Sequence, residues 1–229
     1  MFSDFKNRFD FFLRNLTKFS RKNYKETDKN LIETNLAQNL YTKDILEKCF
    51  KKNSKNNLRI LDIGCKNWFY AKGEYDFFNS FCENFTLEGV EIDPYRLYSN
   101  FYSRFEVAKY YIKGLKNTKY ICGDLLDLEQ KYDYIIWILP FVTVEPLIYW
   151  GLPQKFFNPK KLLEHACSLL GENGQILIIN QGENEAQIQK QMFREMNVKF
   201  LDLGEIESEY FQYKNKRFGF LIEKIHKGF

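Results

Sequence analysis

Phe2, Phe5, Phe9, Phe12, Leu16 and Phe19 recur at steps of three and four, with Lys6, Arg8, Arg14, Lys18 and Arg21 on the other faces. This spacing predicts an amphipathic helix. A second helix is expected from an Asp28 cap through Ile32, Leu36, Leu40 and Leu46 to about residue 50, and the polar run 51–57 reads as its connector. From residue 58 the period changes. Short apolar runs at 58–63, 87–92, 119–122, 134–139, 175–180, 199–203 and 218–225 read as strands, and helical stretches at 70–84, 94–111, 159–170 and 183–196 fit between them. Such alternation demands a mostly parallel sheet with helices on both faces, an α/β fold. Residues 204–217 are polar and aromatic and leave room only for a loop and a return, so the sheet is expected to end on an antiparallel strand. The expected organisation is a helical extension over 1–57 followed by one α/β domain over 58–229.

With 229 residues, 45% of them hydrophobic, 18% aromatic and only 12 Gly and 5 Pro, the chain has the apolar surface for one well-filled core. The net charge of +4 is modest, and the excess of basic residues lies before residue 58; no basic stripe with interleaved aromatics points to nucleic acid. The five cysteines are odd in number and form no CxxC pair, which argues against a disulfide framework or a zinc knuckle and for a reducing, cytoplasmic setting. His165 and His226 have no partner at ligand spacing, so no metal site is expected. No run of 18 apolar residues spans a bilayer. The phenylalanine stripe leaves two readings open, packing on its own domain or peripheral contact with a membrane surface.

In an open α/β sheet, ligands bind beyond the carboxyl ends of the strands, where helix starts and freed backbone amides converge. Four such tips carry candidate chemistry: Asp62-Ile63-Gly64-Cys65-Lys66-Asn67-Trp68, Glu91-Ile92-Asp93-Pro94, Gly123-Asp124-Leu125, and Ile138-Leu139-Pro140-Phe141. Asp93 is expected to cap a helix begun by Pro94. A dinucleotide fingerprint needs three glycines, and Gly64 has no such companions.

In this order and at these separations the four tips resemble those of the class I S-adenosylmethionine (SAM)-dependent methyltransferases, over about residues 58–225. The resemblance implies a Rossmann-like, doubly wound seven-stranded sheet, SAM as cofactor, and direct in-line methyl transfer. It implies that Asp62 and the loop Gly64, Cys65, Lys66 and Asn67 hold the methionine end. Glu91, with Ile92 beside it, would take the ribose hydroxyls, while Asp124 and the Leu125 amide would read adenine and Leu139 would complete the cofactor wall. Lys66 and Trp68 stand where this family usually places further glycines. They favour the alternative of a non-catalytic, ligand-binding or scaffold member of the same fold.

The fourth tip shares only Pro140 and Phe141 with the Asn/Asp-Pro-Pro-Tyr/Phe loop of methyltransferases acting on planar amines. With Ile138 in place of the amide, nothing accepts from an exocyclic amine, which argues against base N-methylation of that type. The apolar stretch beginning at Phe141 and running through Trp150 is expected to wall the acceptor site, with Glu145 and Asn180 as its polar members. A small molecule, a lipid-like precursor and a protein side chain all stay open as acceptor, and the number of copies in an assembly is not legible.

Overall fold

The computed structural model describes residues 23–224; the phenylalanine stripe at 2–19 lies outside them. Asp28 caps the first described helix, α1 (Lys29–Cys49), by accepting from the backbone N–H groups of Asn30 and Leu31. These are two of the four donors that a helix start leaves without an intrahelical partner. One face of α1 buries Tyr41, Ile45, Leu46 and Cys49 against the sheet's own core.

Strand and helix then alternate as β1 (Asn57–Ile63), α2 (Ala71–Asn79), β2 (Asn84–Glu91), α3 (Arg104–Tyr111), β3 (Thr118–Cys122) and β4 (Tyr132–Ile138). After these come α4 (Val144–Tyr149), α5 (Pro159–Ser168), β5 (Leu170–Gln181), α6 (Gly182–Glu195), β6 (Leu201–Glu205) and β7 (Arg217–Glu223). The seven strands lie in the order β3-β2-β1-β4-β5-β7-β6. Strands β1 to β5 are parallel, whereas β7 inserts between β5 and β6 antiparallel to both. The sequence expectation of a mostly parallel sheet with an antiparallel end is met.

Central strands must be apolar on both faces, and β1 shows why its run of Leu and Ile belongs there. Leu58 and Ile60 enter the core beneath α1 and α2, while Leu61 and Ile63 enter the opposite core with Leu163 and Ala166 of α5 and Phe193 of α6. Helix α2 approaches α1 closely at Gly73, where an added Cβ would lie 2.2 Å from the backbone oxygen of Asn39. The Asn39 side chain bridges the two helices by accepting from the Gly73 N–H at 2.7 Å and donating to the Phe69 carbonyl at 3.0 Å.

One expected helix is corrected. The run 94–111 is helical only from Arg104, because Ser103-Arg104-Phe105-Glu106 forms a capping box that fixes the start there. The Ser103 hydroxyl accepts from the Glu106 N–H, and Glu106 returns a bond to the Ser103 N–H. Asp93 therefore caps nothing; its carboxylate takes the Arg96 Nε–H at 2.6 Å. The Ser-x-x-Glu signature was present in the sequence as a competitor to Pro94 for the helix start.

Candidate active site

Each strand tip is latched to its neighbour before the chain turns away, which fixes the loops that follow. The N–H of Gly64 donates to the Val90 carbonyl at 2.9 Å, that of Gly123 to the Glu91 carbonyl at 3.0 Å, and that of Leu139 to the Ile179 carbonyl at 2.7 Å. Beyond these tips lies a cavity of about 830 Å³, large enough for a cofactor and a second molecule together.

Gly64, Lys66, Glu91, Ile92, Asp124, Leu125 and Leu139 all line this one cavity, as do Phe141, Glu145 and Trp150. Asp62 and Cys65 are fully buried behind the wall, and neither they, Asn67 nor Asn180 reach it. Asn180 is fully buried on β5, with both amide atoms lacking a partner.

The loop after β1 follows a glycine-like path without the glycines. Gly64, Lys66 and Trp68 have φ of 72°, 57° and 46°, the left-handed region in which a Cβ costs roughly 1–2 kcal/mol. Trp68 meets that cost through burial. Its indole is fully buried beneath Gly89, where an added Cβ would lie 3.0 Å from the ring, and its Nε1–H donates to Glu74 at 2.9 Å. The indole fills the core and leaves the cavity open, and the sites at Gly64 and Gly123 face free space.

Behind the loop, Asp62 accepts from the Tyr70 hydroxyl at 2.9 Å, while its Oδ1 and the Oε1 of Glu74 are buried without a hydrogen-bond partner. Both carboxyls are fully buried. Burial is the main cause that raises both from the ordinary carboxylate range, Asp62 to about 8, so that the pair keeps a proton at neutral pH. A raised carboxyl makes the folded state bind more protons than the unfolded one, so its stabilising effect is complete at acid pH and is lost as pH climbs through the folded value. Wild-type protein is expected to lose stability progressively from about pH 4, the ordinary carboxylate value, to about pH 8, the folded value of Asp62. Glu74→Gln keeps an acceptor for Trp68 and a donor for Asp62 but no shared proton, so it should flatten that slope; urea midpoints across the range provide the measurement. An equal slope in the variant would mean that the pair does not carry the proton.

Glu91 is held by three donors. Its carboxylate accepts from the backbone N–H of Lys66 at 2.9 Å, that of Asp93 at 2.8 Å, and Arg104 Nη1 at 3.0 Å. The Arg104–Glu91 ion pair is buried on both sides. A carboxylate offers about four acceptor sites, so one remains for a ligand hydroxyl. Lys66 lies 4.2 Å and Arg104 5.9 Å from the centre of the Trp150 ring, which closes this end of the cavity. Burial, reinforced by the neighbouring Arg104, lowers the Lys66 pKa. At the third tip, Asp124 uses one oxygen to cap the turn at Leu126, which leaves the other available.

No family model and no curated protein matches the sequence; solved structures do. The SAM-dependent methyltransferase from Aquifex aeolicus is 13% identical over 86% of this chain and 100% of its own, with a TM-score of 0.57. Magnesium protoporphyrin IX methyltransferase from Synechocystis PCC 6803, solved with bound SAM, is 12% identical over 89% of this chain and 88% of its own, with a TM-score of 0.54. The CurJ carbon methyltransferase is 13% identical over 82% of this chain and 54% of its own, also with a TM-score of 0.54. The chain has the class I methyltransferase fold. Within that fold, the Gly64 loop and the Glu91 and Asp124 tips all face the one cavity.

The sequence reading missed the cavity's other end. Gln181 at the end of β5, then Glu185 and Gln189 on α6, line it at steps of four, together with Tyr41, Tyr213 and Arg217. The i, i+4, i+8 polar spacing after β5 was the available signal. Arg217 gave none, because it begins a strand.

Proposed function

We propose that this protein transfers a methyl group from SAM to a heteroatom of an acceptor bound in the same cavity. The observation that carries the reading is the convergence of an open glycine loop, a carboxylate with an acceptor site to spare and a half-used aspartate on one 830 Å³ cavity at the carboxyl edge of β1, β2 and β3. When bound, SAM supplies an electrophilic methyl on a sulfonium.

The chain's own residues bind, orient and exclude water. Glu91 accepts from a ribose hydroxyl, and the free oxygen of Asp124 accepts from the adenine amine, with the Leu125 N–H alongside. The loop over Gly64 and Lys66 presents the methionine end, with Lys66 as a cation for its carboxylate. Asp62, Cys65 and Asn67 support that loop from behind. Phe141 walls the acceptor side, Trp150 covers the Glu91 end over Lys66 and Arg104, and Leu139, held at φ 60°, turns the chain between the two halves. Alignment of this kind is worth roughly 7–11 kcal/mol of barrier, so a strong side-chain base is not required for a neutral nucleophile.

Calorimetric titration of the full chain with SAM, followed by incubation with methyl-labelled SAM and a fractionated lysate, tests the reading. Saturable binding and label in a discrete product are expected. Binding without transfer would favour a non-catalytic, ligand-binding member of the fold, and no binding would reject methyl transfer in favour of the scaffold alternative.

A further inference from the structure

Arg217 begins β7, beside Gln181 in the sheet register. It is 9% exposed. Its Nη1 donates to Gln181 Oε1 at 2.9 Å, and its guanidinium lies 4.4 Å from the centre of the Tyr213 ring. Tyr213 is itself fixed edge-on to Tyr41 at 5.0 Å. The arginine is thus oriented by an amide and an aromatic face, and among the described residues it forms no ion pair. A buried guanidinium stays charged and is costly to leave without a counter-ion. Glu185, whose carboxylate accepts from the Gln181 N–H at 3.1 Å, interacts with Arg217 electrostatically without forming an ion pair, and burial raises its pKa. A second donor lines the same cavity: Gln189 is 2% exposed and its Nε2 has no partner.

We propose that Arg217 is the anion anchor of the acceptor site, and that the acceptor is an apolar, ring-sized monocarboxylate. This rests on the methyl-transfer reading only for the word acceptor. The carboxylate's two oxygens match the guanidinium fork. A single negative charge fits one arginine with Glu185 close by, whereas a phosphate dianion would be repelled. Phe141, Leu162 and Met192 give the same cavity apolar lining for a ring. Two inter-strand steps separate β4 from β7, about 10 Å at the usual strand spacing. The methyl-accepting atom therefore sits at the far end of the ring body from the anchored acid.

Titration of the full chain with benzoate, cinnamate and 2-naphthoate, each beside its primary amide and with and without SAM, decides the matter. Wild type should bind at least one acid tenfold or more tighter than its amide. Arg217→Gln should bring acid and amide within twofold of each other, with SAM affinity unchanged, and Arg217→Lys should keep part of the preference. If Arg217→Gln does not fold, the wild-type comparison and Arg217→Lys carry the test. The proposal is overturned if no acid outbinds its amide in wild type, or if either variant retains the full preference. Acid preference in a protein that fails to bind SAM would sink the methyl-transfer reading and leave the anchor standing.

Discussion

Glu91→Gln is expected to weaken SAM binding by about 10- to 100-fold, because a hydrogen bond to a charged acceptor is worth about 1.5–3 kcal/mol and each 1.4 kcal/mol is tenfold in affinity. The choice of glutamine matters. Glu91 also neutralises Arg104 in a pair buried on both sides, and removing one member of such a pair costs about 3–5 kcal/mol. Glu91→Ala should therefore lose much of the fold along with the ligand, and lost binding in that variant would say nothing about the ribose contact. The amide keeps one oxygen for Arg104 and the Asp93 N–H and keeps the side-chain volume, but it gives up the charge and the acceptor for the Lys66 N–H, so a smaller loss of stability than in Glu91→Ala is expected. Calorimetry and urea denaturation on both variants separate the two effects. Unchanged SAM affinity in Glu91→Gln would remove Glu91 from the cofactor site.

Trp68→Gly is expected to be the most destabilising substitution in the loop, although glycine is what the resembling family prefers there. Relief of the left-handed backbone returns about 1–2 kcal/mol. Truncating a fully buried indole costs about 3–5 kcal/mol even when Cβ is kept, and the partner of Glu74 goes with it. Net stability should fall by about 3 kcal/mol, a large share of the roughly 5–15 kcal/mol that holds a domain folded. Lys66→Gly is the contrasting case. It relieves the same backbone strain and loses a cation–aromatic contact of about 0.5–2 kcal/mol, so its midpoint should stay within about 1 kcal/mol of wild type. Equal stability of Trp68→Gly and wild type would mean that the indole is not the loop's foundation.

These two residues also show what was and was not legible in the sequence. Strand positions and direction followed from periodicity, since an apolar run such as 58–63 fits only the middle of a covered sheet and the polar 204–217 segment fits only a return; the order of the strands did not. Glu91 and Asp124 were placed at strand tips on the same grounds, and the structure brings both to one cavity. Trp68 was read as a departure from a glycine pattern because a one-dimensional pattern does not say which way a side chain leaves the backbone. The loop keeps the left-handed φ values and sends the indole into the core. Asp62 was read as a cofactor ligand on position alone, but full burial beside Glu74 puts it one layer behind the cavity surface. Asp93 lost its expected cap to Ser103, ten residues downstream, where the capping box with Glu106 fixes the helix start.

The reversed direction of β7 has a consequence for when this site comes into being. Parallel strands deliver their last residues to the cavity, but β7 delivers its first, Arg217. A growing chain that has emerged through α6 already holds every residue assigned to the nucleoside and the apolar walls, yet lacks Tyr213 and Arg217, the anchor proposed for the other molecule. Nascent protein would thus acquire its donor half first, and turnover would await the final strand.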